Sequence, residues 1–201
     1  VELRPLGLRG PAARQLIGFG ESPQARGHTI LLQIPDLGER TLVRAADAVL
    51  AVASTILKPF TRRNAELDLR RILLLRLERI GDLVMALEAI RDVRALAPRA
   101  QIDLAVGTWN AALAGAIPSI DRVETLDARG LAREGDGMGM TGLLRAARRW
   151  RTRGYDLAIN FEPDVRSNML AAASGAAWTA GYRSGGGGPL LDLALEYDTR
   201  A

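Results

Sequence analysis

Residues 71–107 read RILLLRLERIGDLVMALEAIRDVRALAPRAQIDLAVG. The stretch opens on Arg71–Leu77, a near-continuous aliphatic run of the kind that fills a strand buried on both faces of a parallel sheet. Gly81 and Asp82 follow. Apolar residues then recur at helical spacing, which predicts a helix from about Asp82 to Ala97, closed by Pro98. Gln101–Val106 is a second aliphatic strand. A strand, a helix and a strand in 36 residues form a β-α-β unit, and the rest of the fold is read outward from it.

Downstream the alternation continues. A short helix is expected at Trp109–Ala116 and a third strand at Arg122–Leu126. Asp127–Gly142 carries glycines at 130, 135, 137, 139 and 142 and reads as a mobile loop, either a lid or a plain connection. A helix follows at Leu143–Arg153, with Leu144, Ala147 and Trp150 as its buried stripe, then a fourth strand at Tyr155–Phe161. Next come a helix at Val165–Ser174, a fifth strand at Trp178–Tyr182, a flexible Arg183–Gly188 loop and a closing segment, Pro189–Tyr197. Right-handed crossovers place these strands in the order 3-2-1-4-5, giving an α/β, Rossmann-like parallel sheet with helices on both faces.

Upstream the character differs. Residues 1–40 hold Pro5, Pro11, Pro23, Pro35 and six glycines without a sustained period. They read as a poorly ordered or extraneous segment, with a short strand at Thr29–Gln33. Residues 41–59 read as a helix ended by Pro59, lying on a bilayer or packed against a protein surface, and 61–70 as a polar linker. The chain thus divides into 1–40, a helix and linker over 41–70, and a Rossmann-like domain over 71–201.

Composition removes several classes of function. The 201 residues include no cysteine and one histidine, His28, which excludes a disulfide scaffold, a thiolate site and a multi-histidine zinc centre. The net charge is +4, and Lys58 is the only lysine among 27 basic residues. Aromatics are 4%, too few for a base-stacking surface, so no nucleic-acid partner is expected. The most apolar stretch, Ala45–Phe60, falls short of the roughly 20 residues of a spanning helix. No secretory signal is seen near Val1, and a cytoplasmic setting is expected.

In an open parallel sheet ligands sit outside the carboxyl ends of the strands, where the Arg76–Asp82 junction lies. Gly81 is expected to let the backbone turn tightly and a ligand come close. Asp82 either faces that crevice or caps the helix. The junction lacks a G-x-G-x-x-G dinucleotide fingerprint.

Several motifs stand in a fixed order. Residues 71–107 carry strand, Gly81-Asp82, helix, Pro98 and strand. Ile117-Pro118-Ser119-Ile120-Asp121-Arg122-Val123 precedes the third strand, Tyr155-Asp156-Leu157-Ala158-Ile159-Asn160 forms the fourth, and Arg166-Ser167 and Gly181-Tyr182 follow. This ordered set, over residues 71 to about 198, resembles the amino-terminal domain of the lipopolysaccharide heptosyltransferase family, glycosyltransferase family 9. Two positions depart from the family pattern: Glu88 stands where proline is usual, and Asn160 where aspartate is usual.

The resemblance implies the amino-terminal, acceptor-binding half of a GT-B fold and an inverting transfer of a sugar, heptose by expectation, from a nucleotide-sugar such as ADP-heptose. It implies no metal and no resident cofactor. Its partners are a glycolipid or oligosaccharide acceptor, and a donor held by a carboxy-terminal domain that this sequence does not contain. It puts the catalytic base on Asp82, and a carboxylate fixed at a helix start is preorganised for that role. Arg76, Gly81, Asn160, Glu162, Arg166 and Ser167 are the expected substrate-binding residues. Arg166 and Ser167 open a helix whose N–H groups favour an anion. The arginines at 145, 148, 149, 151 and 153 make either a solvated face or a contact for an acidic acceptor or anionic membrane. Because the sequence starts at Val1 and stops at Ala201, the expectation is a fragment that is inactive alone. The alternatives are a non-catalytic module binding an acidic sugar or nucleotide, and a purely structural domain.

Overall fold

A computed structural model describes residues 69–127 and 137–196. The expectations for residues 1–40, for the helix at 41–59, for nearly all of the linker and for most of the Gly-rich stretch lie outside the described residues. The described chain runs β1 (Arg71–Arg76), α1 (Ile80–Leu96), β2 (Gln101–Val106), a 3-10 turn (Thr108–Asn110), α2 (Ala111–Gly115), β3 (Arg122–Thr125), α3 (Met140–Trp150), a 3-10 turn (Arg151–Arg153), β4 (Leu157–Asn160), α4 (Val165–Ala173), β5 (Trp178–Tyr182), a 3-10 turn (Gly188–Leu190) and β6 (Leu193–Leu195).

All six strands are parallel, in the order β3-β2-β1-β4-β5-β6. The expected order holds, and the short sixth strand extends it. β1 is central. Its side chains alternate between two cores: Ile72 and Leu74 pack with Leu83, Ile90 and Ile102 under α1, and Leu73 and Leu75 pack with Leu143, Trp150 and Leu170 under α3 and α4. This two-sided burial explains why β1 is aliphatic throughout.

One device recurs at the entrance of the sheet. Asp121, Asp156 and Asp192 each stand one residue ahead of a strand, and each carboxylate accepts from the opening backbone N–H groups of the neighbouring strand. Asp156 takes Arg70 and Arg71 at 2.9 and 2.8 Å, Asp121 takes Ile102 at 2.7 Å, and Asp192 takes Thr179 at 3.0 Å. The aspartates of the Ile-Asp-Arg-Val and Tyr-Asp-Leu motifs therefore pin strand register, at the end of the sheet away from the Arg76–Asp82 junction.

Three expectations change. Helix α1 starts at Ile80, because the Arg79 carbonyl already accepts from Asp82 and Leu83, at 3.1 and 3.2 Å. Helix α3 starts at Met140, and its buried stripe is Leu143, Ala147 and Trp150, with Leu144 only half-buried. The Arg183–Gly188 loop is packed: Asn168 Nδ2 donates to the carbonyls of Tyr182 and Gly186, at 2.9 and 2.7 Å. Gly186 and Gly187 there take left-handed φ values of 93° and 76°, which a side chain rarely adopts.

Candidate functional site

The site is built on the segment that leaves β1. Arg76 ends the strand, Leu77–Arg79 cross over, and α1 begins. Two neighbours hold this crossing. From β4's exit, Glu162 Oε1 accepts from the backbone N–H groups of Leu77 and of Glu78, the latter at 2.7 Å. From β2's exit, the indole N–H of Trp109 and the amide of Asn110 donate to the Glu78 carbonyl, at 3.0 and 2.8 Å. All three strands deliver these groups at their carboxyl ends, where a parallel sheet presents its ligand sites.

Asp82 lies in the first turn of α1, where Arg79 rather than Asp82 occupies the N-cap position. Asp82 Oδ1 faces Arg76 Nη2 at 3.3 Å, and the carboxylate is one-third exposed while the Arg76 side chain is 11% exposed. Arg76 is thus not a strand-end arginine with its head in solvent. Its Nη1 donates to the Phe161 carbonyl at 2.9 Å, and its Nε is buried without a partner among the described residues. The result is an ion pair whose base is anchored in the sheet and whose acid faces outward.

Glu162 is wholly buried, and its Oε2 has no partner among the described residues. Burial, reinforced by the charge of Glu78, pushes its carboxyl up to about 7, against the pull of Arg76 and the two backbone N–H groups.

Four of the expected binding residues lie beneath the surface or fold back onto the chain. Asn160 and Ser167 are buried and bound to each other: Asn160 Nδ2 lies within 2.8–2.9 Å of the Glu162 carbonyl, Ser167 Oγ and Asn168 Oδ1. They shape the β4–α4 turn and lie beneath the surface. Glu162 is likewise beneath the surface. Arg166 is half-buried and folds back onto Asp164, which it grips with Nε and Nη2, both at 3.0 Å. That carboxylate also accepts from the backbone N–H groups of Arg166 and Ser167, so the anion position at the start of α4 is filled by the chain's own aspartate. The same contact holds the Arg166 guanidinium above its ordinary value.

Gly81 differs as well. It sits inside the first turn of α1 without a positive φ, so it is not there to make a tight turn. An added Cβ would meet nothing within 4 Å, so open space above an exposed helix start is what it contributes.

Sequence reasoning passed over Glu78, Trp109 and Asn110. A signal was present: Gly107 and Trp109 immediately follow β2 at the same edge as Asp82. The indole lies across Gly107, where a Cβ would come within 2.3 Å of a ring carbon, and the ring stays 37% exposed. Ile80, Val84 and Met85 on the first turns of α1 are also exposed, at 56%, 51% and 82%. The carboxylate–guanidinium pair therefore stands on a helix start with an apolar surface.

No family model and no curated protein sequence matches the chain. Solved structures do. The fold is similar to that of the ADP-heptose lipopolysaccharide heptosyltransferase II of E. coli, at a TM-score of 0.55 and 20% identity, covering 65% of this chain and 36% of that one. It is similar to the E. coli heptosyltransferase WaaC, solved with ADP, at a TM-score of 0.50 and 14% identity, covering 65% and 42%. A glycosyl transferase family 9 structure from Veillonella parvula gives a TM-score of 0.49 at 25% identity, covering 59% and 33%. The chain thus spans well under half the length of each of these structures.

Proposed function

We propose that this domain is the acceptor-binding half of an inverting glycosyltransferase, and that Asp82 is its base. The observation that carries the reading is the placement of Asp82: a part-exposed carboxylate at a helix start on the ligand-binding rim, held by Arg76 at 3.3 Å and outside the N-cap position. Likeness in fold to the heptosyltransferases supports it.

The chemistry follows from that geometry. Arg76 holds Oδ1 at 3.3 Å and so orients the carboxylate. Oδ2 is the oxygen left for an acceptor hydroxyl. As that hydroxyl oxygen bonds to the anomeric carbon of the donor sugar, the bond from that carbon to the nucleotide's terminal phosphate oxygen breaks. The hydroxyl proton passes to Asp82, and the nucleoside diphosphate leaves with the electron pair. Positioning supplies the catalytic power of such a base. The donor is a nucleotide-sugar, ADP-heptose by analogy with the similar structures, held by protein beyond the domain described. The acceptor is a phosphorylated glycolipid or oligosaccharide. The exposed arginines of α3, at 145, 148 and 149, suit peripheral contact with an anionic membrane. No helix among the described residues is long and apolar enough to cross one.

The test is a titration of the isotope-labelled chain with a phosphorylated lipopolysaccharide core oligosaccharide, alongside a turnover assay with ADP-heptose. Saturable shifts at Arg76, Asp82 and Trp109, without turnover by this chain alone, are expected. In a chain that turns over, Asp82→Asn should abolish turnover and leave acceptor affinity in place. If oligosaccharide fails to bind at millimolar concentration, the reading falls. If Asp82→Asn leaves turnover intact, the base is elsewhere.

A further inference from the structure

Glu162 is expected at the substrate, yet its carboxyl is wholly buried beneath the crossing from β1 to α1. It takes no part in the proton transfer described above. Its contacts point elsewhere. A single oxygen, Oε1, accepts from two consecutive backbone N–H groups, those of Leu77 and Glu78. Those two residues connect Arg76, the last of β1, to Arg79, whose carbonyl starts α1 and so sets where Asp82 stands. The residue before Glu162 holds the other end of the same assembly, since the Phe161 carbonyl accepts from Arg76 Nη1 at 2.9 Å.

Glu162 is itself fixed. Its backbone N–H donates to Asn160 Oδ1 at 3.0 Å, and its carbonyl lies 2.8 Å from Asn160 Nδ2. Asn160 is in turn tied to Ser167 and Asn168 on α4. An unbroken path of buried polar contacts thus runs from α4 through Asn160 and Glu162 to the backbone beneath Asp82.

We propose that Glu162 is a positioning residue, whose carboxyl clamps the Leu77–Glu78 backbone and thereby sets how Arg76 and Asp82 are presented at the rim. The proposal rests on the reading of Asp82 as the functional carboxylate, but the clamp is testable without it. The clamp needs an acceptor oxygen at this place, and a glutamine supplies one where an alanine does not. The charged groups bearing on Glu162 are Glu78 from the crossing, Arg76 from β1 and Arg166 from the start of α4. A carboxyl keeps an acceptor oxygen whether neutral or ionised, so the clamp can hold in either state.

The experiment is amide hydrogen exchange by NMR on the wild-type chain, Glu162→Gln and Glu162→Ala, with the guanidinium resonances of Arg76 recorded in parallel. In Glu162→Ala the Leu77 and Glu78 amides should exchange about tenfold faster or more, the scale of two ordinary hydrogen bonds. Leu104 in β2 should be unaffected, and the Arg76 guanidinium should rotate more freely. Glu162→Gln should keep both amides protected and Arg76 restrained. A merely structural role would raise exchange throughout the sheet and leave the Arg76 signature tied to global stability. If Glu162→Ala does not fold, a coupling through the hydrogen bond from the Glu78 amide nitrogen to the Glu162 carboxyl carbon decides the matter in the wild type. Its presence supports the clamp, and its absence overturns it. Unchanged exchange in Glu162→Ala, or a glutamine that behaves as alanine, also overturns it. Asp82→Asn should leave both amides protected, so loss of the Asp82 reading and loss of the clamp are separate results.

Discussion

Replacing Glu162 by glutamine should change how the protein's stability responds to pH. In the folded chain the Glu162 carboxyl is pushed up to about 7 from an ordinary value of 4.5, first by burial and then by the charge of Glu78. Between those two values the folded state holds a proton that the unfolded chain has released. Unfolding there releases the proton, so stability falls as pH rises. The contribution is fully present below about 4.5 and is lost as pH climbs through about 7. A gap of about 2.5 pH units at about 1.4 kcal/mol each comes to about 3–4 kcal/mol, and complete burial leaves little room for solvent screening. Glutamine does not titrate. Urea unfolding of both proteins from pH 4.5 to 8 should therefore show the wild type losing about 3 kcal/mol relative to Glu162→Gln across that range. Most other titrations are common to both chains and cancel in the difference. Parallel profiles would refute the reasoning, and would mean that water or a rearranged Arg76 solvates the buried carboxylate.

Three further substitutions probe other parts of the structure. Gly81→Ala should stabilise the chain by about 0.5–1 kcal/mol in thermal or urea melts, because the helix gains a better former and the added methyl meets nothing within 4 Å. A lower melting temperature would show that this helix start is more crowded than described. Asp103→Ala should cost about 3 kcal/mol by urea unfolding, since Asp103 is wholly buried and accepts from Tyr155 Oη at 2.6 Å and Arg153 at 3.1 Å. A loss below about 1 kcal/mol would show that the two partners find other acceptors, Glu124 being already at hand for Arg153 at 2.7 Å. Gly185→Ala should destabilise by about 1–3 kcal/mol, because its Cβ would fall 1.5 Å from the Pro163 carbonyl oxygen and force the Gly-rich loop off the β4–α4 turn. An unchanged melting curve would mean that the loop is not packed there.

The central strands were legible because two-sided burial writes itself as an aliphatic run. The expected bounds of β2 and β5 match the structure, and those of β1 differ by one residue. β6 was not, since Leu193–Leu195 is a three-residue edge strand too short to carry a period. Arg76 and Asp82 were legible for a topological reason: one ends a parallel strand and the other begins the next helix, so both reach the rim whatever their neighbours do. The burial of Glu162, Asn160 and Ser167 was not legible, because it depends on β4 lying against β1, some 85 residues away. Arg166 is an intermediate case. Asp164 two residues earlier is an ordinary N-cap, and its presence already pointed to a local partner for the arginine. Trp109 was overlooked because a helix reading absorbed it. Its place just past a strand, with glycine two residues before, was the better clue.

The path of the chain through the sheet also bears on the order in which the molecule can be assembled. β1, α1 and β2 close over about thirty residues, a short loop with a modest entropic penalty. Asn110 and Trp109 reach Glu78 within that same unit. The contacts that Arg76 makes with Phe161, and the crossing with Glu162, span 84 to 85 residues and require β4 to come back beside β1 after β2 and β3 have been laid down on its other side. A half-assembled chain can therefore hold a well-formed first unit with Asp82 in its helix and still lack the lower support of that helix start. Non-local pairings of this kind are slow to form. The rim that carries Arg76 and Asp82 should then be completed late in folding, and protection of the Glu78 amide would report the moment at which the two halves of the sheet meet.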